Sequence, residues 1–380
     1  MKVGVWFDAP SSYDGGVNYF VNLGRALEAH YPSLQLIIFV GSDFPDNKTA
    51  QLLKCYQVIK TKFLARNSFV NRVLRKVRLP ILLIMFSKVY GIDVFTHIWH
   101  PYRHFSCLKT TGWIPDFQYL HLPHLFKGKN VINTLNRRNR KIVEGNDLVF
   151  VSSENALLDL TRVSQGMALN ASVLKFTTFI DEEILLSIED SRLNVGAPFF
   201  YLPNQFWKHK NHSVVVDAVK ILKIRPLNFK VVMSGNKVDF RDGNQIYFDS
   251  VMRQLQAEGL SEDILYFDEL NYAEVLWLNK NSVAVINPSL FEGWSSTVEE
   301  AKALGSALIL SDIPVHREQA HSGAKFFQPN DPKELAKILS DYSLREPTTH
   351  GKVFQNINTE QFATVFVNAL RKISLDENFH

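Results

Sequence analysis

The chain has 380 residues, more than one ordinary hydrophobic core accommodates, so two domains are expected. Hydrophobic residues are 46% and charged residues 21%, a normal soluble globular balance, and the net charge of +4 is mild. Its two cysteines, Cys55 and Cys107, exclude a disulfide framework and a cysteine-based zinc site, and fit a reducing cytosol.

The first ten residues, MKVGVWFDAP, hold one Lys and an Asp inside an apolar run. They read as a strand over 3–7 and not as a signal peptide. A polar loop over 10–16 closes on Gly15-Gly16, after which Val17, Phe20, Val21 and Leu27 recur at helical spacing. This is the first β-loop-α step of an α/β domain. Apolar runs over 36–40 and 147–152 have strand length, and Ser152 or Ser153 is placed to cap the helix that follows. Between them, 113–126 reads as a loop in which Asp116, Gln118, His121 and His124 sit among aromatics. A polar stretch over 187–197 marks the boundary, giving domains over 1–190 and 191–358.

The second half alternates strands at 199–202, 229–233, 264–267, 283–286 and 307–310 with helices, one of them over about 211–223. Such alternation implies a mainly parallel sheet. Asp331, Pro332 and Glu334 supply the cap, first position and third position of another helix. After Thr359, the residues Phe362, Val365, Phe366, Ala369, Leu370 and Ile373 share the face of a closing helix over 359–380. No stretch of about 18 apolar residues offers a membrane-spanning helix.

The strongest chemical signal spans 287–305, Asn-Pro-Ser-Leu-Phe-Glu-Gly-Trp-Ser-Ser-Thr-Val-Glu-Glu-Ala-Lys-Ala-Leu-Gly. A strand ends at Asn287 and a helix begins near Ser296. Ser295, Ser296 and Thr297 are small, so an anion such as a diphosphate can approach the free N–H groups of the helix start. Glu292 lies in the loop and Glu300 one turn into the helix, both able to face a ligand at the carboxyl end of the sheet. A carboxylate at 300 could accept both hydroxyls of a ribose. The same residues also suit a plain helix cap, with acids answering the helix dipole, and Glu299 reads as a solvated neighbour of that kind.

The run FEGWSSTVEEAKALG, followed by ALILSDIPVHRE, resembles the Glu-x7-Glu motif of glycosyltransferase family four. That resemblance implies the GT-B fold: two Rossmann-like α/β domains with a central cleft and a C-terminal helix crossing back to the N-terminal domain. It also implies transfer of a sugar from a nucleoside diphosphate with retention of configuration. The second Glu of the motif binds the donor ribose and the first lies near the donor sugar, roles that fall on Glu300 and Glu292. The family's Gly-Leu-Pro is Ser295-Ser296-Thr297 here.

A second segment, YLPNQFWKHKNH over 201–212, leaves a strand and opens a helix. Two lysines beside a helix start could clamp a diphosphate leaving group, or form a solvated basic loop. The segment resembles the family's Arg…Lys-Gly segment. Lys210 fits the diphosphate-binding Lys, Asn204 or Gln205 stands at the Arg, and Lys208 adds a second cation. The 113–126 segment resembles the family's loop that places a His or Asp over the donor sugar. Asp116 carries over, Pro115 replaces the usual His, and His121 is a candidate for the missing imidazole, although a lone His also serves structure. Gly15-Gly16 matches the family's Gly-Gly loop by position, or is a simple turn. Base selection in this fold rests on backbone contacts, here near Glu269 and Leu270.

Between 60 and 88 stand eight Lys or Arg (60, 62, 66, 72, 75, 76, 78 and 88) and no acid, interleaved with Val70, Val73, Leu74 and Val77. This basic amphipathic stretch suits an anionic membrane surface, at roughly 1 kcal/mol per basic residue near it. A nucleic-acid partner is not expected, because aliphatic residues and not stacking aromatics accompany the charges. No Asp-x-Asp triplet occurs, which disfavours the metal-dependent fold of sugar transferases. No metal is required, and no cofactor is expected beyond the nucleoside-diphosphate sugar as donor substrate. The expected enzyme is a glycosyltransferase of cell-surface polysaccharide synthesis. It would act on a glycan or lipid-linked glycan acceptor in the cytoplasm, at the inner face of the membrane. The alternatives are a sugar-nucleotide epimerase or phosphorylase of similar shape, or a non-catalytic nucleotide-sugar-binding subunit.

Overall fold

A computed structural model of the chain describes residues 1–7, 14–65, 67–128, 130–167, 169–180, 182–190, 193–224, 226–239, 244–343 and 358–375. They form two units, Met1–Phe179 together with the helix that follows Asn358, and Ile180–Ile357. The expected loop positions 10–13, Arg66, and the side chain of Leu74 lie outside the described residues.

The first unit runs β1 (Lys2–Trp6), α1 (Asp14–His30), β2 (Gln35–Gly41), α2 (Asp46–Leu53), β3 (Gln57–Thr61), α3 (Phe69–Val77), α4 (Ile81–Tyr90), β4 (Val94–Ile98), β5 (Lys109–Ile114), α5 (Gln118–His121), α6 (Val131–Glu144), β6 (Leu148–Val151), α7 (Glu154–Ser164) and β7 (Ala171–Val173). Its seven strands pair in parallel in the order β3-β2-β1-β4-β5-β6-β7. The strands read as continuous apolar runs because helices cover both faces. In β1, Val3 and Val5 pack on one face with Phe20 and Leu23 of α1, while Trp6 packs on the other with Leu83 and Phe86 of α4. Trp113 and Ile114, expected in a loop, close β5 instead. Both are buried, and the apolar run ending at Ile114 is strand-forming on both faces.

The second unit runs α8 (Glu182–Asp190), β8 (Phe199–Leu202), α9 (His212–Leu222), β9 (Lys230–Ser234), α10 (Ile246–Ala257), β10 (Ile264–Phe267), α11 (Tyr272–Asn281), β11 (Ala284–Asn287), α12 (Ser296–Ala303), β12 (Leu308–Ser311), α13 (Pro314–Gln319), β13 (Lys325–Phe327) and α14 (Pro332–Ser343). Six parallel strands take the order β10-β9-β8-β11-β12-β13. Helix α8 belongs here: Ile188 packs with Leu276, Ala303 and Leu304, so this unit begins ahead of the polar 187–197 stretch.

The chain then returns in α15 (Thr359–Leu375), which packs in the first unit. Phe362, Phe366, Leu370 and Ile373 are buried among α1 and sheet residues. Phe366 stacks on Phe150 of β6, with ring centroids 5.7 Å apart. Polar pins hold the near end, His30 to Thr359 and Tyr31 to Thr364, each at 3.0 Å. Both units are therefore doubly wound α/β layers with open parallel sheets.

Candidate functional site

In the second unit the strand order reverses beside β8: β9 and β10 lie on one side, β11 to β13 on the other. Ligands of open α/β sheets bind at such a switch point, at the carboxyl ends of the strands. The two loops that leave β8 and β11 at that edge carry the candidate residues.

The loops are tied backbone to backbone, Leu290 N–H donating to His209 C=O at 2.7 Å. Asn211 adds a second tie. Its φ of 55° is left-handed, and its side-chain amide donates to the carbonyls of Pro288 (3.2 Å) and Pro329 (2.8 Å). This geometry delivers Lys210 to Glu292, the ammonium donating to Oε1 at 2.6 Å. The side chains are 14% and 9% exposed, so the pair is largely withdrawn from water. Lys208 is exposed on the same short turn, and Gln205 is half-buried.

Asn204 is buried and occupied at both ends of its amide. It donates to Asn287 Oδ1 (3.2 Å) and accepts from Thr297 Oγ1 (3.5 Å). Asn287 in turn donates to Ser295 Oγ (2.8 Å) and accepts from Ser289 (2.7 Å). Gly235 is required beside this network: its φ is 129°, and a Cβ there would lie 2.5 Å from the Asn204 carbonyl. Asn204 thus holds the two loops in register from within, rather than presenting its amide outward.

Ser295 is the cap of α12, its hydroxyl accepting from Val298 N–H at 3.4 Å. Its own N–H is taken by Gln319 Oε1 at 3.0 Å. Next along the chain, the N–H groups of Ser296 and Thr297 meet no partner among the described residues, as the first turn of a helix leaves them. Ser296 is exposed. The cap and the open anion site, posed as alternatives by the sequence, therefore fall on different residues of the same turn.

Glu299 is not solvated. It is buried, pairs with Lys302 at 2.9 Å and accepts from Gln319 Nε2 at 2.9 Å. The correction comes from Gln319 at the end of α13, which grips both Ser295 and Glu299 and which no spacing argument connects to them. Glu300 is buried beside Tyr272, whose hydroxyl donates to Oε1 at 3.4 Å. Burial pushes its carboxyl up to about 7, against the Tyr272 hydrogen bond. Tyr272 opens α11 directly after Asn271, which forms a capping box with Glu274. Glu269, just before that cap, has a left-handed φ of 52°.

His316 is a residue the sequence reading passed over. It is fully buried, and Nδ1 donates to the Ser311 carbonyl at 2.9 Å. A carbonyl only accepts, so Nδ1 carries the proton and Nε2 is a bare lone pair, which meets no donor among the described residues. Burial holds His316 down at about 4, with Glu292 raising and Lys210 lowering it, which places the ring in the field of that pair. Its signal was the His in IPVHRE, five residues past Ser311.

The first unit holds the remaining candidates. Gly15 and Gly16, expected in a loop, form the first turn of α1. Asp116 follows the carboxyl end of β5 and accepts from Gln118 N–H at 2.9 Å. His121 bonds the buried Asp159 at 2.6 Å, and Arg162 reaches the other oxygen of that Asp at 3.3 Å. His121 is thus fixed by a carboxylate that the sequence did not connect to it.

Residues 185–351 match the family glycosyl transferases group 1. The O-antigen chain mannosyltransferase RfbU of Salmonella typhimurium strain LT2 is 26% identical over 143 residues, covering 38% of each chain. The serotype-specific mannosyltransferase WbdA of Escherichia coli is 26% identical over 206 residues, covering 54% of this chain and 24% of WbdA. The chain thus matches less than half the length of either relative. Among solved structures, a glycosyltransferase from Rickettsia africae superposes with a TM-score of 0.63 at 16% identity, covering 100% of this chain and 96% of that one. Anabaena HepE, solved with UDP and glucose, gives 0.66 at 13% identity, with coverage of 97% and 100%. The lipopolysaccharide outer core galactosyltransferase WaaB gives 0.61 at 16%, with coverage of 98% and 99%. With two open parallel sheets, a Glu-x7-Glu turn at the switch point and these matches, the chain has the GT-B fold, and its second unit matches the group 1 glycosyltransferases over residues 185–351.

Proposed function

We propose that this chain moves a sugar from a nucleoside diphosphate to a glycan hydroxyl with retention of configuration, in the assembly of a cell-surface polysaccharide. The observation that carries the reading is the largely buried Lys210–Glu292 pair, set on two tied loops beside the open N–H groups of α12. The mannosyltransferase relatives support mannose as the transferred sugar.

In the proposed reaction the bond from the anomeric carbon to the diphosphate oxygen breaks, and its electron pair leaves with the diphosphate. The acceptor oxygen bonds to the anomeric carbon on the same face, and its proton passes to the departing oxygen. Negative charge grows on the diphosphate and positive charge on the sugar. Lys210, Lys208 and the Ser296 and Thr297 N–H groups answer the first, and no metal is invoked for that role. Before the donor arrives, Glu292 keeps the Lys210 ammonium in place. Once the diphosphate shares that ammonium, the carboxylate is available to the sugar. Glu300 accepts the ribose hydroxyls.

The test is a thermal-shift panel of UDP-, GDP-, dTDP- and ADP-linked sugars on wild type and Glu300→Ala, followed by a transfer assay with the stabilising donor. Stabilisation by one nucleotide class, lost in Glu300→Ala, with transfer to a glycan acceptor, is the expected result. Donor binding without transfer or hydrolysis would favour a binding subunit.

A further inference from the structure

Helix α3 is built inside out. Arg75 hydrogen-bonds the hydroxyl of buried Tyr102, and Arg78, just past the helix, donates from Nε to the Pro101 carbonyl at 2.5 Å. Arg75 and Arg78 therefore fasten this side of the helix to the protein. The apolar side chains described on α3 point the other way: Phe69 is 72% exposed, Val70 46%, Val73 42% and Val77 45%. An ordinary surface helix buries such a stripe.

Helix α4, three residues on, continues the pattern. Leu82, Leu83 and Phe86 fill the core, while Ile81, Met85 and Val89, spaced four apart, remain exposed on the opposite side. Seven of the seventeen exposed large hydrophobic side chains among the described residues stand on these two helices. Solvated monomers rarely leave such a concentration uncovered.

Charge decides what covers it. Residues 60–88 contain eight Lys or Arg and no Asp or Glu. Lys60 is committed to Asp46 at 2.6 Å, and Arg75 and Arg78 are turned inward. Lys62, Arg72, Lys76 and Lys88 are exposed. On α3, Arg72 and Lys76 lie one turn apart along one edge of the Phe69–Val73 stripe. An apolar face flanked by cations, with no anion, fits the headgroup region of an anionic bilayer: aliphatic side chains enter the acyl boundary and ammonium and guanidinium groups meet lipid phosphates.

We propose that the α3–α4 face of the first unit docks on an anionic membrane surface. This inference is independent of the donor chemistry, and its test uses no nucleotide sugar. The full chain is sedimented with vesicles of phosphatidylcholine alone and with vesicles containing phosphatidylglycerol, at low and at physiological salt. Binding to the anionic vesicles is expected, several-fold weaker at the higher salt, with little binding to phosphatidylcholine. Phe69→Glu/Val73→Glu should lower binding more than tenfold, and Arg72→Glu/Lys76→Glu should abolish the preference for anionic lipid. All four side chains are exposed, so circular dichroism and melting temperature should match wild type. Failure of wild type to bind any vesicle, or equal binding by both variants, overturns the proposal. So does a wild-type dimer by light scattering that Phe69→Glu/Val73→Glu converts to monomer, which would assign the face to a second copy of the chain.

Discussion

Lys210 Nζ stands 2.6 Å from Glu292 Oε1, with most of both side chains withdrawn from water. Eighty-two residues separate them, and each arrives on a loop braced by the other. A largely buried pair of this kind is costly to break from either side, because the survivor keeps its charge without its partner.

The pair should therefore show strong coupling. Lys210→Met or Glu292→Gln alone should destabilise the fold by about 3 kcal/mol, while the double variant should lose less than the sum. Urea denaturation of the four proteins measures the coupling. Sugar transfer should fall by about two orders of magnitude or more in Lys210→Met, if its ammonium meets the leaving diphosphate.

Glu300 gives a pH signature. Its folded value of about 7 exceeds the ordinary 4.5, so the fold favours the protonated form. That contribution is complete below the unfolded value and is lost as pH rises through about 7. Glu300→Gln should thus gain on wild type across this window, by on the order of 3 kcal/mol at its upper end. Chemical denaturation at several pH values reads this. Nucleotide affinity should move the opposite way, rising with pH in wild type because ribose hydroxyls need a carboxylate acceptor, and staying flat in Glu300→Gln. Titration calorimetry distinguishes the two trends.

Asn211 combines a left-handed backbone with two carbonyl contacts. Asn211→Ala should cost about 2–3 kcal/mol, from strain and from the lost hydrogen bonds. Asn211→Gly keeps the conformation and should cost less. Thermal melts order the three proteins, and equal stability of the Ala and Gly variants would remove the backbone argument.

Phe366 belongs to the closing helix yet fills the core of the first unit. Phe366→Ala should destabilise that unit by roughly 3–5 kcal/mol. Hydrogen exchange should show the loss in β1, β6 and α1.

Much of the architecture was legible locally. The alternation of apolar runs with helical periods specified parallel α/β sheets, because a strand covered on both faces has no polar side to display. The Asp331 cap, the Ser153 cap and the apolar face of α15 were readable for the same reason: each depends on residues within a few positions of one another. The spacing of Glu292, Ser296 and Glu300 likewise located a turn at the carboxyl end of β11.

Tertiary structure decided which of those polar groups remain available. Gln319 takes the Ser295 N–H and buries Glu299, Asn287 and Thr297 occupy Asn204, and Asp159 fixes His121. Those partners lie 20 to 93 residues away for Gln319 to Glu299 and Thr297 to Asn204, and no helical or strand period links them. The orientation of α3 is of the same kind. Its residue pattern specifies an amphipathic helix, but only its packing on Pro101 and Tyr102 turns Arg75 and Arg78 inward and leaves the apolar face, with Arg72 and Lys76 at its edge, to solvent. A sequence sets which groups a segment carries; the free energy of the packed whole sets which of them are satisfied inside and which are left for a ligand or a surface.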